Sequence, residues 1–537
     1  MPKSNNETMK VFNNMNEYFK LPNPGLTAYF GTVRQGQPEV YRTPFGKGRS
    51  VQQLLAEWMP SLDSLSKQWP TLLEFENDLA KKVGPMSVMF PLKDRLKDID
   101  HYYEDILLPQ KPIDSRAIQA VINEFDVTAG VRVRTQANTV ELMKKSTNSG
   151  NPYFLRKSLV TDETIPCSIS AAPTIPQQYL MGDTNWNMCA ILGWRGQEGG
   201  PNKTDVKQRV VWMFPYAMNI EELRYYQPAI ETAQDFNLVP AWVSMESVDQ
   251  RITRMFDTKA KNDLVVCTDF SKFDQHFNPV MQEAAKEIIS SLIVKDSAGD
   301  YWLKNVFDCK YYMPLMYDYG LLRVGRHGMG SGSGGTNYDE TIVHRALQYE
   351  AAMLAHQKLN PNSQCLGDDG IITYPGIKVE DVVRAYSSHG QEMNIDKQYA
   401  SKQECIYLRR WHHRDYRVDD VCVGVYSTCR ALGRLAMQER FYDPEKWSKE
   451  AVALRQLSIL ENCKYHPLRE QFVDFCMKRD KFRLGIDIPG FLNNIEDVAK
   501  KYVEYMPDFL GYTKTMQENG SPSGISTWWI VSYLQSK

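Results

Sequence analysis

Two adjacent carboxylates in a short turn are the feature of this sequence that most directly suggests chemistry. Asp368 and Asp369 lie between Gly367 and Gly370, with apolar residues before them and an apolar run, 371–374, after them. This pattern favours a β-hairpin with the carboxylates at its tip. Two carboxylates held together repel each other, so a cation is expected beside them, and oxygen ligands select Mg²⁺ or Mn²⁺. The prediction of a metal site depends on a third carboxylate on a neighbouring strand.

A candidate third carboxylate follows the apolar run 264–267. Asp269 comes at the end of this strand-like segment, and Asp274 lies five residues further on. Asn278 and Pro279 then have the residue types of a helix N-cap and first helical position, and apolar residues keep helical spacing afterwards. We therefore expect Asp269 at a strand end and Asp274 in the connection before a helix.

The elements from residue 264 onward follow a recognisable order. That order is strand, helix, glycine loop and helix, acidic hairpin, helix (379–386) and strand (404–408). A β-α-β-β-α-β plan of this kind places the first strand beside the hairpin in one antiparallel sheet. Asp269 would then face Asp368 across neighbouring strands, and three carboxylates at such strand ends can hold two metal ions about 4 Å apart.

Two cations begin another strand-like run. Lys207 and Arg209 follow a glycine-rich turn (195–203) and lead into apolar residues up to Phe214. Because the two cations are two residues apart, they would share one face of a strand. The pair could hold a triphosphate, or it could form a solvent-facing strand edge.

Two polar loops contain glycine. The loop 328–335 is rich in glycine and leads into a helical pattern that begins at Thr336, so its backbone could approach a ligand closely. It lacks the Lys-Ser or Lys-Thr ending of a Walker A loop. The loop 146–153 combines small polar residues with Gly and Pro, and exposed backbone N–H groups there would suit a passing phosphate backbone.

Length and composition limit the classes of protein to which this chain can belong. The 537 residues are enough for two to four domain-sized units, and the 42% hydrophobic and 24% charged contents are those of a soluble protein. The sequence has no apolar run of bilayer length, and its ten cysteines include no CxxC pair, which argues against a zinc site or a disulfide framework. Net charge is −2, yet segments 131–160 and 408–417 are locally basic, which indicates an internal charged channel or a solvated basic face.

In order along the chain, these segments resemble the motif series of the viral RNA-dependent RNA polymerases, enzymes with a right-hand fold. Size and motif wording are most similar to the polymerases of picobirnaviruses, small viruses with a segmented double-stranded RNA genome. The resemblance covers roughly residues 146–410. The matching segments are Thr147–Pro152 (the loop where template enters), Lys207 and Arg209 (basic fingers strand), Asp269–Asp274, Ser331–Thr336 and Gly367–Asp369 (palm), Asp396–Lys397, and Ile406–Arg410 (primer grip).

The resemblance implies two-metal nucleotidyl transfer with two Mg²⁺ or Mn²⁺ ions. Asp269 and Asp368 would bridge the ions, Asp369 would be a weaker ligand, and Lys397 would protonate the pyrophosphate. The incoming NTP would meet Lys207, Arg209, Asp274, Ser331, Thr336 and Asn337, with Asp274 accepting a hydrogen bond from the ribose 2′-hydroxyl. Template and primer RNA would meet Thr147, Ser149, Gly150, Pro152, Gly332, Arg409 and Arg410.

The resemblance also implies the architecture and the setting. We expect an α+β right-hand polymerase fold with an RRM-like antiparallel palm sheet and a mostly helical thumb. Residues 1–225 would form an N-terminal segment and fingers, 226–420 the palm with a fingers insertion at about 294–325, and 421–537 the thumb and tail. Expected partners are RNA template, product duplex, NTPs and capsid protein. We expect a monomer without membrane contact, located in the virion interior and the host cytoplasm.

Three other functions were weighed against this prediction. A reverse transcriptase would carry a bulky aromatic residue at the ribose position, where Asp274 favours ribonucleotides. A non-catalytic RNA-binding structural protein on the same fold would not need Asp269 or Asp368. A metal-dependent nuclease would not need the strand with Lys207 and Arg209.

Two questions stay open in the sequence. Polymerases of this family often carry Asn four residues after the threonine of the second palm motif, and here that residue is Glu340. A second acid beside Asp274 is unfavourable unless one of them is protonated, so Asn337 and Thr336 are candidate partners instead. The aromatic pair 528–529 could pack outside the thumb, or the tail from about residue 515 could reach the active-site cavity and support initiation.

Overall fold

The computed structural model describes residues 14–170, 178–181, 184–443, 445–502 and 524–537. Along these ranges, no helix is long and apolar enough to cross a membrane. The α-helices are α1 (Pro24–Gln35), α2 (Val51–Leu62), α3 (Pro70–Ala80), α4 (Leu96–Glu104), α5 (Ser115–Phe125), α6 (Gln136–Glu141), α7 (Thr161–Thr164), α8 (Tyr216–Asp235), α9 (Pro240–Val243), α10 (Met245–Thr258), α11 (Pro279–Leu292), α12 (Ser297–Tyr301), α13 (Cys309–Tyr312), α14 (Thr336–Leu354), α15 (Val379–Ser387), α16 (Thr428–Ala436), α17 (Lys449–Glu461), α18 (Arg469–Lys478), α19 (Ile495–Tyr502) and α20 (Trp529–Gln535). The strands are β1 (Cys167–Ser170), β2 (Gln178–Met181), β3 (Thr184–Asn187), β4 (Ala190–Gln197), β5 (Lys207–Met213), β6 (Val265–Thr268), β7 (Leu315–Asp318), β8 (Leu321–Arg323), β9 (Gln364–Leu366), β10 (Asp369–Ile372), β11 (Tyr399–Ser401), β12 (Glu404–Tyr407), β13 (Arg410–His413) and β14 (Val425–Tyr426).

The central sheet has the strand order β11-β6-β10-β9, with antiparallel neighbours throughout. This confirms the predicted β-α-β-β-α-β plan and the pairing of the first strand with the acidic hairpin. The predicted fourth strand was wrong, because the strand beside β6 is β11, and residues 404–407 form β12 in a separate sheet with β13 and β14. The strand β11 is three residues long and only half-buried, so it has no apolar run from which the sequence could have revealed it.

Alternating residues of the central sheet enter two different cores. Val266 and Ile372 pack with the helices α11, α14 and α15. Val265, Cys267 and Ile371 pack on the opposite face with α10 and β12. Successive side chains of a strand point to opposite faces, and both faces are covered here, so residues 265–267 of β6 and 371–372 of β10 are all apolar and buried. A sheet fixed from both faces gives its strand ends a well-defined position.

The helices over the first face begin where the sequence predicts. Asn278 caps α11, accepting a hydrogen bond from Met281 N at 3.2 Å, and Pro279 is its first residue. The helix α14 begins at Thr336, directly after the glycine loop, and α15 covers the predicted range 379–386. These boundaries depend on local residue types, which is why the sequence reveals them.

A second sheet, here called the flanking sheet, has the order β5-β4-β7-β8. Its β4–β5 hairpin pairs Gln197 with Lys207 and Arg195 with Arg209, so the two cations of β5 lie at the end of the hairpin next to its connecting loop, 198–206. Residues 315–323 extend this sheet through β7 and β8, with β7 parallel to β4.

The two ends of the chain share another core. Apolar residues between 45 and 86, mostly from α2 and α3, are buried together with apolar residues between 411 and 534. At the C-terminus, the Glu461 carboxylate accepts hydrogen bonds from Trp529 N at 3.1 Å and Ile530 N at 2.8 Å. The aromatic pair 528–529 therefore packs on the C-terminal helices, in agreement with the first of the two placements considered from the sequence. The stretch 503–523, which includes most of the polar tail, lies outside the described residues.

Candidate active site

The acidic hairpin is held from behind by α14. Leu366 faces Asp369, so Gly367 and Asp368 form the two-residue turn, with Gly367 at φ +57°. Gly367 N donates to Thr341 Oγ1 at 2.9 Å, and Gly367 O lies 2.8 Å from His344 Nδ1. Burial lowers the pKa of His344 to about 4, so the ring is neutral at physiological pH and can donate through Nδ1. The turn is thus fixed by two side chains one helical turn apart.

Asp269 stands at the same end of the central sheet as Asp368. Gly370 is opposite Thr268, so the next residues in each strand direction are Asp369 and Asp269. Gln398 brackets the Asp269 backbone: its Oε1 accepts from Asp269 N at 2.7 Å, and its Nε2 donates to Asp269 O at 2.9 Å. Gln398 thus holds the backbone of Asp269 in place, while Asp269 itself is exposed.

The charges around Asp368 converge. Asp368 is exposed at the hairpin tip, yet many protein atoms surround its carboxyl group and partly exclude water from it. This desolvation raises the pKa of Asp368, and the charges of Asp274 and Asp269 raise it further. Arg209, reaching over from the flanking sheet, acts in the opposite direction. Three carboxylates and one guanidinium are therefore close enough to perturb one another, and a cation would relieve the repulsion.

Asp369 has a different role from its neighbour. Its Oδ2 accepts a hydrogen bond from Leu408 N at 2.8 Å, which ties the hairpin to the turn between β12 and β13. Burial, followed by the charge of Asp368, raises the pKa of Asp369 to about 7. With one oxygen accepting this hydrogen bond, Asp369 helps to hold the hairpin in place, and the metal role predicted for it stays a prediction.

The donors fit a divalent cation only in part. Among the described residues, no group of three or more His, Cys, Asp or Glu side chains converges as a preformed metal cage. Asp269 and Asp368 supply hard carboxylate oxygens at adjacent strand ends, where mutual repulsion favours a cation. Mg²⁺ keeps several water ligands and is commonly bound by one or two carboxylates together with substrate phosphates. The pair suits an ion of that kind, completed by water and substrate.

Glu340 and Asp274 are close enough for their charges to interact: burial, followed by the charge of Asp274, raises the pKa of Glu340 well above its usual range. The two partners considered for Asp274 from the sequence make other contacts in the structure. Asn337 Oδ1 instead accepts from Trp242 Nε1 at 2.8 Å, and Thr336 Oγ1 donates to Gly330 O at 3.1 Å. Both side chains build the glycine loop and its helix, and their predicted contact with NTP stays a prediction.

The glycine loop lies against the strand β5. A Cβ atom added at Gly332 would come within 1.5 Å of Trp212 O, so only glycine fits this approach. Asn219 Nδ2 donates to Gly332 O at 3.0 Å, while Ser333 donates to the buried Glu222. Ser331 is exposed, and its Oγ donates to Val210 O on β5 at 3.4 Å. The loop is thereby anchored on α8 and β5, beside the predicted triphosphate strand.

Lys207 and Arg209 lie on one exposed face of β5, as predicted. Arg409 joins them: desolvation and then the charges of Lys82, Arg209 and Arg409 lower the pKa of Lys207. Desolvation and neighbouring guanidinium groups likewise lower the pKa of Arg409 to about 10. Mutual destabilisation of cations is relieved by an anion, so this cluster suits phosphate groups. Arg409 was predicted at the primer, and the structure brings it to the basic strand.

Arg410 is not available to RNA, which contradicts the prediction made for it. Its guanidinium binds both carboxylate oxygens of Asp249, at 3.0 and 3.1 Å, and also donates to Gly424 O at 3.3 Å. The Arg410 side chain is 12% exposed and that of Asp249 is 4% exposed. The ion pair joins β13 to α10 and is structural.

The loop 146–153 closes on itself, so the expectation of exposed backbone N–H groups was wrong. Ser149 N donates to Leu155 O at 2.7 Å, and Gly150 N donates to Asn148 Oδ1 at 2.8 Å. Ser149, Gly150 and Pro152 are buried, whereas Thr147 is exposed. Of the four template contacts predicted here, only Thr147 presents a surface that RNA could reach without rearrangement.

Lys397 ends a short 3₁₀ turn, Ile395–Lys397, and is exposed. It directly precedes Gln398, the residue that brackets Asp269. Lys397 is thus next in sequence to a residue that contacts the Asp269 backbone, and its predicted proton-donor role stays a prediction.

Sequence reasoning missed Thr341, His344 and Gln398. The signal for the first two was present, since α14 is buried along most of its length yet carries many polar side chains. Buried polar side chains need hydrogen-bond partners, so polar residues along a buried helix indicate that the helix binds a neighbouring segment through them. Gln398 had no comparable signal.

Comparison with known proteins agrees with this geometry. Residues 198–422 match the family model described as viral RNA-dependent RNA polymerase. The chain is 60% identical over 529 residues to a "potential RNA-dependent RNA polymerase" of human picobirnavirus (strain Human/Thailand/Hy005102/-), a match covering 97% of this chain and 98% of that one. This chain therefore belongs to the viral RNA-dependent RNA polymerases and is a nucleotidyltransferase.

Solved structures identify the branch of the family. The crystal structure of the RNA-dependent RNA polymerase of a human picobirnavirus is similar, with a TM-score of 0.93 and 60% identity. An insertion-loop deletion mutant of such a polymerase gives a TM-score of 0.91 and 58% identity. Each match covers 97% of this chain and 98% of the other. The resemblance to picobirnavirus polymerases inferred from the motifs is confirmed, and the non-catalytic alternative and the reverse transcriptase are set aside.

Proposed function

We propose that this chain extends an RNA strand on an RNA template by nucleotidyl transfer assisted by two divalent ions, Mg²⁺ or Mn²⁺. The observation that carries the proposal is the juxtaposition of Asp269 and Asp368 at adjacent strand ends, with Arg209 opposite them. Two ions, once bound, would lower the pKa of the attacking 3′-hydroxyl and stabilise charge on the leaving oxygens.

The remaining residues bind and orient the nucleotide. Lys207, Arg209 and Arg409 would neutralise the triphosphate, since desolvation and neighbouring cations lower the pKa of Lys207 and of Arg409, which an anion would relieve. Asp274 would accept a hydrogen bond from the ribose 2′-hydroxyl. Lys397 would deliver a proton to the leaving pyrophosphate. Base pairing would select the nucleotide, so protein contacts need only follow the backbone.

The architecture supports assignment to the parts of a right hand. The central sheet with α11, α14 and α15 would be the palm (226–420), and the flanking sheet, including the insertion near 294–325, would belong to the fingers (1–225). The helices of 421–537 would be the thumb. Because 45–86 packs with these helices, part of the N-terminal range would tie the fingers to the thumb.

The proposed biological setting is inferred from the similarity to picobirnavirus polymerases. A picobirnavirus polymerase acts on a double-stranded RNA genome, so we propose that this chain replicates and transcribes such a genome. It would do so as a monomer in the virion interior and the host cytoplasm, in contact with capsid protein and without a membrane.

The test is primer extension with isosteric variants. Asp269→Asn and Asp368→Asn should each lower incorporation on a labelled RNA template with four NTPs and Mg²⁺ or Mn²⁺ by about a hundredfold or more, because one metal-binding charge is lost. Glu380→Gln, at an exposed position in α15, is the matched control and should extend normally. Reactions with and without primer would also reveal how synthesis starts.

Circular dichroism of each variant separates loss of chemistry from loss of fold. A folded Asp368→Asn enzyme that extends primers at close to the wild-type rate would overturn the assignment of metal ligands.

A further inference from the structure

The glycine loop has few side chains of its own with which to hold its conformation. Four of the six residues 330–335 are glycine. Glycine has no side chain to pack, and it loses more conformational freedom on folding than any other residue. A glycine loop with one conformation therefore needs hydrogen bonds to its backbone from a neighbouring element. The helix α8 supplies such hydrogen bonds here.

Glu222 of α8 binds the last part of the loop. It is 1% exposed, and its Oε1 accepts hydrogen bonds from Gly334 N and Asn219 Nδ2, each at 3.2 Å. Its Oε2 accepts from Ser333 Oγ, which in turn accepts from Gly335 N at 3.0 Å. One buried carboxylate thus holds the N–H groups of two successive glycines, one directly and the other through a serine hydroxyl.

Asn219 of α8 binds an earlier part of the loop. Its Nδ2 donates to Gly332 O at 3.0 Å as well as to Glu222 Oε1. The two side chains are three residues apart on one face of the helix and form one hydrogen-bonded unit. Packing against α8 is close, since a Cβ atom added at Gly335 would lie 2.5 Å from Tyr226 Cζ. The loop is thereby held through the backbone of three of its glycines.

The partners of Glu222 indicate what this buried carboxylate is for. Removing a carboxylate from water is unfavourable unless hydrogen bonds compensate for it. Among the described residues, the donors to Glu222 lie on the glycine loop or on Asn219, which binds the same loop. The side chain of Glu222 therefore serves the loop and does not join α8 to another helix.

We propose that Glu222, together with Asn219, is a positioning residue for nucleotidyl transfer: it holds the glycine loop in the conformation in which Ser331 and Thr336 meet the incoming NTP. The proposal rests on the function proposed above, in which the chain extends RNA and these two residues contact the nucleotide. Glu222 is buried and acts only through the loop.

The first measurement is the KM for NTP on a preformed RNA primer-template. Glu222→Ala should raise this KM by about tenfold, since a displacement of about 1 Å in a binding group can cost up to about a hundredfold. KM does not depend on the fraction of chains that are folded, so a merely structural role would leave it unchanged. Glu222→Gln keeps an acceptor for Gly334 N and a polar group beside Ser333, and should keep KM within about threefold of the wild type.

The second measurement is hydrogen–deuterium exchange of the loop in the free protein, which needs no activity. Glu222→Ala should speed the exchange of Gly334 and Gly335 by about tenfold or more, because amides that lose their hydrogen-bond acceptor open more readily. Glu222→Gln should leave most of this protection in place.

Glu221→Ala is the matched control. Glu221 directly precedes Glu222 in α8 and is also buried, with 0% exposure. Its carboxylate instead accepts hydrogen bonds from Gln136 at 2.6 Å, Tyr301 at 3.1 Å and Arg224 at 3.2 Å. Its replacement should lower thermal stability but leave the KM for NTP and the exchange of the loop unchanged. This separates damage to α8 from release of the loop.

Two results would overturn the proposal: an unchanged KM in Glu222→Ala, or loop exchange in that variant at the wild-type rate. If Glu222→Ala does not fold, Ser333→Ala removes the same link from the side of the loop, and the same two measurements decide the question. Failure at the two levels is distinguishable. A wild-type chain that extends no RNA refutes the proposed function, whereas a wild type that extends RNA, with an unchanged KM in Glu222→Ala, refutes only the role of Glu222.

Discussion

Replacement of Arg410 separates a structural role from an RNA-binding role. Arg410→Ala leaves the Asp249 carboxyl group, which is 4% exposed, without its bidentate partner. His412 Nδ1, 3.8 Å away, does not replace the guanidinium, because it already contacts Cys422 O at 3.1 Å and because burial, the largest influence on its pKa, disfavours the charged ring. Removal of one partner of a buried ion pair destabilises a protein by about 3–5 kcal/mol.

The expected shift in melting temperature follows from size. At about 2.1 cal/mol/K per residue, 537 residues unfolding together give an unfolding entropy of about 1.1 kcal/mol/K. A loss of about 3–5 kcal/mol then lowers Tm by about 3–5 °C. The assay is thermal unfolding followed by circular dichroism, with fluorescence anisotropy of a labelled RNA measured well below Tm.

A double replacement tests the cause. Arg410→Met combined with Asp249→Leu removes both charges and should recover most of the lost Tm, since no unpaired charge remains buried. Arg384→Ala, from the exposed pair with Asp381, is the control and should change stability by about 1 kcal/mol or less. An Arg410→Ala variant with wild-type Tm and at least tenfold weaker RNA binding would refute this reasoning and restore the primer-contact role.

Two further perturbations test the frame around the site. Gly332→Ala should lower primer extension at least tenfold, because the new Cβ atom would lie 1.5 Å from Trp212 O and displace the glycine loop. Gly31→Ala in α1, where nothing lies within 4 Å of the added Cβ atom, is the control and should retain activity. Equal activity of the two variants would contradict this expectation. Burial lowers the pKa of His466 to about 3, so the folded state binds fewer protons than the unfolded state, and stability is lost as pH falls below about 6.5. His466→Gln should reduce this loss by about 1.4 kcal/mol per pH unit between pH 4 and 6, measured by urea unfolding, and identical slopes would contradict it.

The parts of the fold that depend on local residue types could be predicted from the sequence. The acidic hairpin, the capped start of α11 and the start of α14 each follow from a few neighbouring residues. The shared face of Lys207 and Arg209 follows from strand periodicity. The order of these elements was sufficient to place Asp269 beside the hairpin.

The parts that depend on distant contacts could not be predicted. Arg410 and Asp249 are 161 residues apart, and nothing near either residue reveals the pairing. The strand β11 is too short and too polar to stand out. The raised pKa of Glu340 depends on its burial in the packed structure. The sequence could therefore show that a second acid near Asp274 is unfavourable, but not how burial changes the pKa of that acid.

The most direct test of the central claim is a count of bound ions. Mn²⁺ bound to the complex with RNA and a non-hydrolysable NTP analogue can be measured by electron paramagnetic resonance, for the wild type and for Asp368→Asn. If Asp269 and Asp368 together hold the ions, the wild type binds two Mn²⁺ per chain at saturation, and the variant binds at most one with comparable affinity. Two tightly bound ions in Asp368→Asn, or a single ion in a wild-type complex that extends RNA once NTP replaces the analogue, would contradict the two-metal account.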